Sequence, residues 1–456
     1  MFDKILGSGP ARRVALGGMT ALGIYVAGAG LTACSQLLIA RIVGVETFGV
    51  YAYVLAWVTV LAYFSALGFD IALLRFVPAY RASRAWGLLR GVIQYSERRM
   101  AAASILVIVI GTVAITISAS EMPSELRKTF LAGFALVPIW ALLWIRASIV
   151  RAFGGVLSAI APDRVVRDGS LICVVVLLSW GLKWHLDAPM VMMATLASAA
   201  AALVLASLSV RRLHPREIDG VVPDYDAPIW RRTILPLMVI AATEAILNRG
   251  GVLVLGWIGS TKDAGIYALV FSISFLVALP RAAANTLLAP AIADLFVRKH
   301  HHLLQTLITR TALWTLCGAA GSALILSIVA DPLLTWFGRG YEAGASAFRV
   351  LLVGQVVAAC FGSQLSIMTM TGCERGAAIL LILSAFVNIL VSAVLVNVLG
   401  PAGAAISTMV TLIVWNIAMA VFIWHRLRLL PGPVFMLQSM LRGEAIIRTP
   451  RGSPTI

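Results

Sequence analysis

The sequence predicts an all-α polytopic membrane protein of about twelve transmembrane helices in two six-helix halves, with both termini cytoplasmic. Three observations carry this. Of the 456 residues, 60% are hydrophobic and only 12% charged, with a mean hydropathy of +0.95, whereas a soluble domain is about a quarter charged. About twelve apolar runs are long enough to cross a hydrocarbon core, which takes roughly 20 helical residues. A motif near the first hinge also recurs about half a chain later: Gly49, Tyr51, Ala52 and Val54 match Gly265, Tyr267, Ala268 and Val270 at a constant offset, as an internal duplication would leave them.

The runs follow in order. Met1 to Arg13 is basic and leads into an apolar run too long for a signal-peptide core and lacking a small-residue cleavage site, so it opens the first span. The twelve spans are Val14–Ala40, Phe48–Leu74, Ala101–Ala119, Thr129–Val150, Val165–Trp184, Pro189–Val210, Thr233–Ile258, Gly265–Ala289, Thr306–Ala330, Phe348–Thr371, Ala377–Val398 and Pro401–Trp424. Glycines crowd the first. Gly44-Val45-Glu46-Thr47 is a hinge before the second. Pro138 is expected to break the fourth, Pro280 and Pro290 the eighth, and Gly400-Pro401 opens the twelfth.

Charge tests the count. With the N-terminus inside, the inside segments hold about 24 basic residues and the outside loops about 7, the bias of a correctly counted chain. This count places Arg164 and Arg167 inside, at the inner end of span five. The same scatter of short basic clusters argues against nucleic-acid binding despite a net charge of +16. Arg81–Arg99 reads as an amphipathic segment along the inner surface. The Pro-rich, acidic stretch after span six reads as a linker. The expected domains are residues 1–212 and 233–425, joined by a cytoplasmic linker 213–232 and followed by a cytoplasmic tail 426–456.

Several classes are excluded. The longest outside loop is about 17 residues, too small for an external catalytic domain. There is no phosphate-binding GxxxxGK[ST] loop and no HExxH. The five cysteines lack metal or disulfide spacing, and His300-His301-His302 reads as a solvated turn. No enzyme activity, cofactor or metal is expected.

Charges at membrane depth are the candidate functional groups, since each costs about 3 kcal/mol or more to insert. They are Asp70 and Arg75 in span two, Arg146 in span four, Glu244 and Arg249 in span seven with Asn248 beside them, Arg281 in span eight and Arg310 in span nine. Arg75, Arg146 and Arg310 lie near the inner end and can snorkel; Asp70 can pair with Arg75. Glu244, Arg249 and Arg281 lie deeper, and an aqueous cavity between the halves or a structural pair such as Glu244 with Arg281 would accommodate them. Arginines outnumber carboxylates in this set, which suits an anionic substrate recognised through phosphate or carboxylate.

The hinge followed by FGVYAYV, the LGFDIALLRFVPAY end of span two, APAIADL, MTGCERGAAI and LGPAGAAIST resemble the multidrug/oligosaccharidyl-lipid/polysaccharide (MOP) exporter superfamily. Within it the chain looks most like the polysaccharide transport branch, the Wzx-type flippases. That resemblance implies transfer of an undecaprenyl-pyrophosphate-linked oligosaccharide repeat unit across the bacterial inner membrane for surface polysaccharide biosynthesis, by alternating access. It also implies contact with membrane lipids and with the polysaccharide polymerase and chain-length machinery, and no nucleic acid; a monomer suffices. The rival readings are a multidrug or cation antiporter of the same superfamily, whose usual span-one carboxylate is missing here, a lipid II flippase, and a membrane polysaccharide polymerase or ligase.

Overall fold

The computed structural model describes residues 10–430 and Gly432, so the tail 426–456, with its apolar patch at Val434–Leu441, lies largely outside the described residues. Ten helical stretches among the described residues are long and apolar enough to cross a membrane. The helix Pro10–Ala66 contains two crossings: its 57 residues would extend about 85 Å, against a core of about 30 Å. Its path turns at Gly44, which alone leaves helical geometry (φ 79°, ψ 173°). A further crossing runs from Val156 to Gly181 as short α and π segments in sequence. The described residues therefore form twelve spans.

Lipid-facing and packed surfaces separate along each helix. Span three, Trp86–Ile117, leaves Ile105, Leu106, Val109, Ile110, Val113 and Ile117 exposed on its apolar stripe. Lipid is as apolar as leucine, so packing between spans depends on close backbone approach through small residues. This is why the repeated motif sits at the centre. Spans two and eight cross at Gly49 and Gly265, and a Cβ on Gly265 would fall 2.6 Å from the Cα of Gly49. The two tyrosines of the motif are also equivalent. Tyr51 shares a hydrogen bond with Thr195 on span six (3.1 Å), and Tyr267 shares one with Thr408 on span twelve (2.8 Å). Each repeat thus ties to the last span of its own half while its glycine meets the other half.

The outer ends of the halves are joined around this crossing. The Tyr341 hydroxyl donates to the Ala40 carbonyl at 3.2 Å, and Lys262 lies 3.7 Å from Glu46. At the inner end, the start of span seven leans on the N-terminal half. Trp230 is fully buried there, its Nε1 donating to the Tyr80 hydroxyl at 2.9 Å and its ring 5.2 Å from Tyr95.

Several local expectations are corrected. Residues 86–99 do not lie along the membrane surface; they are the first turns of the helix Trp86–Ile117. Leu89, Val92 and Tyr95 are buried there. The connection after span six docks on them: the Asp224 amide donates to the Gly87 carbonyl at 3.0 Å, and Arg90 Nη1 donates to the Val221 carbonyl at 2.6 Å. A Cβ on Gly91 would strike the Asp224 carbonyl oxygen, which is backbone and cannot swing aside. Gly91→Val is expected to undock this connection while the spans still insert, read as faster limited proteolysis between residues 213 and 226.

Pro138 does not break span four, which runs unbroken from Ser124 to Ala152 because Leu136, Val137, Trp140 and Ala141 are buried around it. Span eight does break before Pro280, at a 3-10 turn Phe275–Ala278, but its last helix, Leu279–Val297, continues through Pro290. Span ten has an unforeseen break at Gly362 (φ 72°). Pro401 opens span twelve as expected.

Candidate functional site

Tyr63 of span two lies at the meeting point of the candidate charges. Its ring lies 4.3 Å from that of Trp144, tilted by 31°, and Trp144 lies 6.1 Å from Trp140, both on span four. Asp70, Asp163, Arg164 and Glu244 are within electrostatic range of the Tyr63 hydroxyl. Arg249 is in turn within range of Tyr63, Tyr51 and Arg167. Glu244 and Arg249 of span seven therefore face the N-terminal half, across the boundary between the halves. Among the described residues neither has an ion-pair partner.

Asn248 takes the other side of the same helix. Neighbouring residues on an α-helix point about 100° apart. Asn248 lines a cavity of about 70 Å³ within the C-terminal half, together with Arg281, Gln355, Asn388, Thr408 and Thr411. Asn388 Nδ2 donates to Thr411 Oγ1 at 3.1 Å, and its Oδ1 is buried without a partner. Arg281 has no ion-pair partner among the described residues. Four of the candidates thus divide between two places: Glu244 and Arg249 at the boundary, Asn248 and Arg281 in the C-terminal pocket. No ion pair joins Glu244 to Arg281, or Asp70 to Arg75, among the described residues.

The remaining candidates have structural surroundings. Arg146 pairs with Glu97 of span three at 3.0 Å. Arg75 is exposed on the inner part of span two. Asp70 begins the helix Phe69–Ala82, after a break at Leu67 and Gly68 where both residues have positive φ. A carboxylate in the first turn suits the positive end of the helix dipole. The Asp70 carbonyl accepts from Ser148, while Oδ1 of its side chain is buried without a partner.

The sequence reading missed a further cluster. It started span five at Val165 and counted Arg164 and Arg167 as basic residues at its inner end. The helical path instead begins at Val156, after the Gly154-Gly155 turn, which carries Asp163, Arg167 and Asp168 two to three turns into the protein. Arg167 Nη1 donates to Asp163 Oδ1 at 2.8 Å, and Arg167 Nε donates to Asp168 Oδ1 at 2.9 Å. Thr32 of span one donates to the other oxygen of Asp168, and Arg164 lies 3.7 Å from Asp163. The Arg167 guanidinium lies 5.5 Å from the Trp140 ring. Asp168 is 3% exposed. The signal was present as the apolar stretch Val156–Ala161 followed by Asp163 and Arg167 at i,i+4. Among the described residues Arg249 and Arg281 are two deep guanidiniums with no ion pair, unlike Arg146 and Arg167.

The fold has solved relatives. An inward-facing MATE-family multidrug resistance transporter of the MOP superfamily matches over 88% of this chain and 94% of its own, with a TM-score of 0.69 and 15% identity. An outward-facing structure described in the same terms matches over 90% and 95%, with a TM-score of 0.62 and 15% identity. A MOP superfamily transporter from Pyrococcus furiosus, described as having a binding pocket of reversed polarity, matches over 90% and 96%, with a TM-score of 0.63 and 14% identity. No curated protein sequence matches. The family model for polysaccharide biosynthesis proteins matches residues 17–296, more than half of the chain. The chain belongs to the polysaccharide biosynthesis protein family, on the fold of the MOP-superfamily exporters.

Proposed function

We propose that the protein is a flippase that moves a lipid-linked oligosaccharide, carried on undecaprenyl pyrophosphate, from the inner to the outer leaflet of the bacterial inner membrane. The observation that carries this reading is the pair of guanidiniums without a counter-ion, Arg249 at the boundary and Arg281 in the C-terminal pocket, in a member of a polysaccharide biosynthesis family. A cation at membrane depth with no partner is costly, and a pyrophosphate would supply the missing charge through bidentate hydrogen bonds. Asn248, Gln355, Asn388 and the threonines beside Arg281 offer the amide and hydroxyl groups that sugars bond. The prenyl chain stays in lipid. The halves, residues 1–212 and 233–425, rock about the crossing of spans two and eight to expose the cavity to each side in turn. The outer contacts of Gly49 with Gly265 and Ala40 with Tyr341 fit a state closed to the outside.

A second reading has one observation in its favour. The buried carboxylates Asp163 and Asp168 could serve a cation antiporter in place of the span-one carboxylate this chain lacks. Deletion in the native bacterium separates the two. The flippase reading expects a complete repeat unit to accumulate on its prenyl carrier, with loss of surface polysaccharide and unchanged drug sensitivity. Normal glycolipid together with new sensitivity to organic cations establishes the antiporter instead. Arg249→Ala is expected to lower transport about tenfold or more, the loss of one charge-assisted hydrogen-bonded contact, with insertion intact. Arg281→Ala is expected to do the same. Wild-type surface polysaccharide in both variants removes the assignment of the cavity.

A further inference from the structure

A pocket of about 590 Å³ opens at the outer end of the molecule, away from the boundary cavity and the C-terminal pocket. Its walls come from both halves. Leu38, Arg41 and Ile42 belong to span one, Ser179, Trp180, Trp184 and His185 to the end of span five and the loop after it, and Trp336 to the short helix Ala330–Phe337 before span ten. The Arg41 guanidinium stacks on Trp336 at 3.6 Å from the ring centroid. None of the ion pairs among the described residues involves Arg41. Stacking occupies the face of the guanidinium and leaves its N–H edge for an oxyanion, the geometry in which arginine holds phosphate.

We propose that this pocket binds the phosphate of an anionic lipid in the outer leaflet. Three observations choose a lipid over a soluble anion. Trp180, Trp184 and Trp336 are 67%, 55% and 59% exposed, at the depth where tryptophans sit among headgroups. Leu38 and Ile42 form an apolar floor beside the cation, a place for the first carbons of an acyl chain. The basic-residue bias, finally, assigns the ends of the spans that line the pocket to the outer side, the level of the outer leaflet's headgroups. An aromatic belt alone accounts for scattered tryptophans. It does not account for tryptophans from both halves that line one pocket with a guanidinium lacking an ion pair. The phosphate would bond the N–H edge of Arg41 while its guanidinium remains stacked on Trp336.

The test uses the full chain, purified and delipidated, with binding read by native mass spectrometry. The probes are phosphatidylglycerol, zwitterionic phosphatidylcholine and inorganic phosphate. Wild type is expected to retain one phosphatidylglycerol that neither of the other two displaces. Arg41→Gln and Trp336→Leu are each expected to weaken that adduct about tenfold or more, the loss of one charge-assisted contact. Lys128→Gln, a basic residue at the outer end of span four and outside the pocket, is expected to leave it unchanged. Two variants in different halves guard against a folding defect in either, and each is checked for a wild-type elution profile. Equal retention by both pocket variants, equal binding of phosphatidylcholine, or displacement by inorganic phosphate overturns the proposal.

Discussion

Arg167→Ala is expected to be the most damaging single substitution in the N-terminal half. Arg167 sits between Asp163 and Asp168, at 2.8 and 2.9 Å, with all three side chains largely buried. Removing the cation leaves two carboxylates inside the protein without it. Breaking a buried pair in this way costs about 3–5 kcal/mol, far more than a surface pair contributes, because Asp168 is left without a cation and does not regain water, while Asp163 keeps only Arg164 at 3.7 Å. The expected result is loss of most of the monodisperse, detergent-stable protein. A neutralised variant that combines Arg167→Ala with Asp163→Asn and Asp168→Asn separates stability from transport. Recovery of folding without recovery of transport shows that the charges act in the transport cycle. Recovery of both assigns the cluster a structural role only. Stable, active Arg167→Ala protein contradicts the burial argument itself.

Gly49→Leu is expected to prevent closure of the outer end. A Cβ on Gly49 would strike the Thr261 carbonyl, and one on Gly265 would lie 2.6 Å from the Gly49 Cα. Both neighbours are backbone, so the clash cannot be relieved by turning a side chain. The direct measurement is disulfide formation between cysteines placed at Glu46 and Lys262, whose charged atoms lie 3.7 Å apart, in a background stripped of the five native cysteines. The cross-link is expected to form readily with Gly49 present and to drop at least about tenfold in Gly49→Leu, with transport lost. Ala at the same position is the smaller perturbation and is expected to retain part of both. Full cross-linking in Gly49→Leu would show that the halves meet somewhere other than this crossing.

The two results bear on different kinds of information. The glycines were legible in the sequence because the repeat placed Gly49 and Gly265 at equivalent points, although nothing in the pattern said that they touch. The Asp163–Arg167–Asp168 cluster was misread because a charged stretch next to an apolar run looks the same whether it ends a loop or continues a helix inward. The helix began at Val156, nine residues earlier than the hydrophobic count placed it, and that changed Arg167 from an anchor into a largely buried group. Arg249 and Asn248 show the same limit at finer scale: adjacent in sequence, they face different halves of the protein.

The sequence by itself determined the class of molecule, the number of crossings, their orientation and the duplication. Those properties follow from apolar length, from the distribution of basic residues along the chain and from the recurrence of a motif, all of which are linear and need no partner. The tertiary structure alone decided the depth of each charge, the face from which it projects and its counter-ion. Depth depends on where a helix starts, direction on its rotation, and pairing on a second segment that can be far away: Thr32 reaches Asp168, Tyr51 reaches Thr195, and Arg41 reaches Trp336. In a medium that offers no water to satisfy a stray charge, those contacts decide which buried groups are structural and which remain available to bind a substrate.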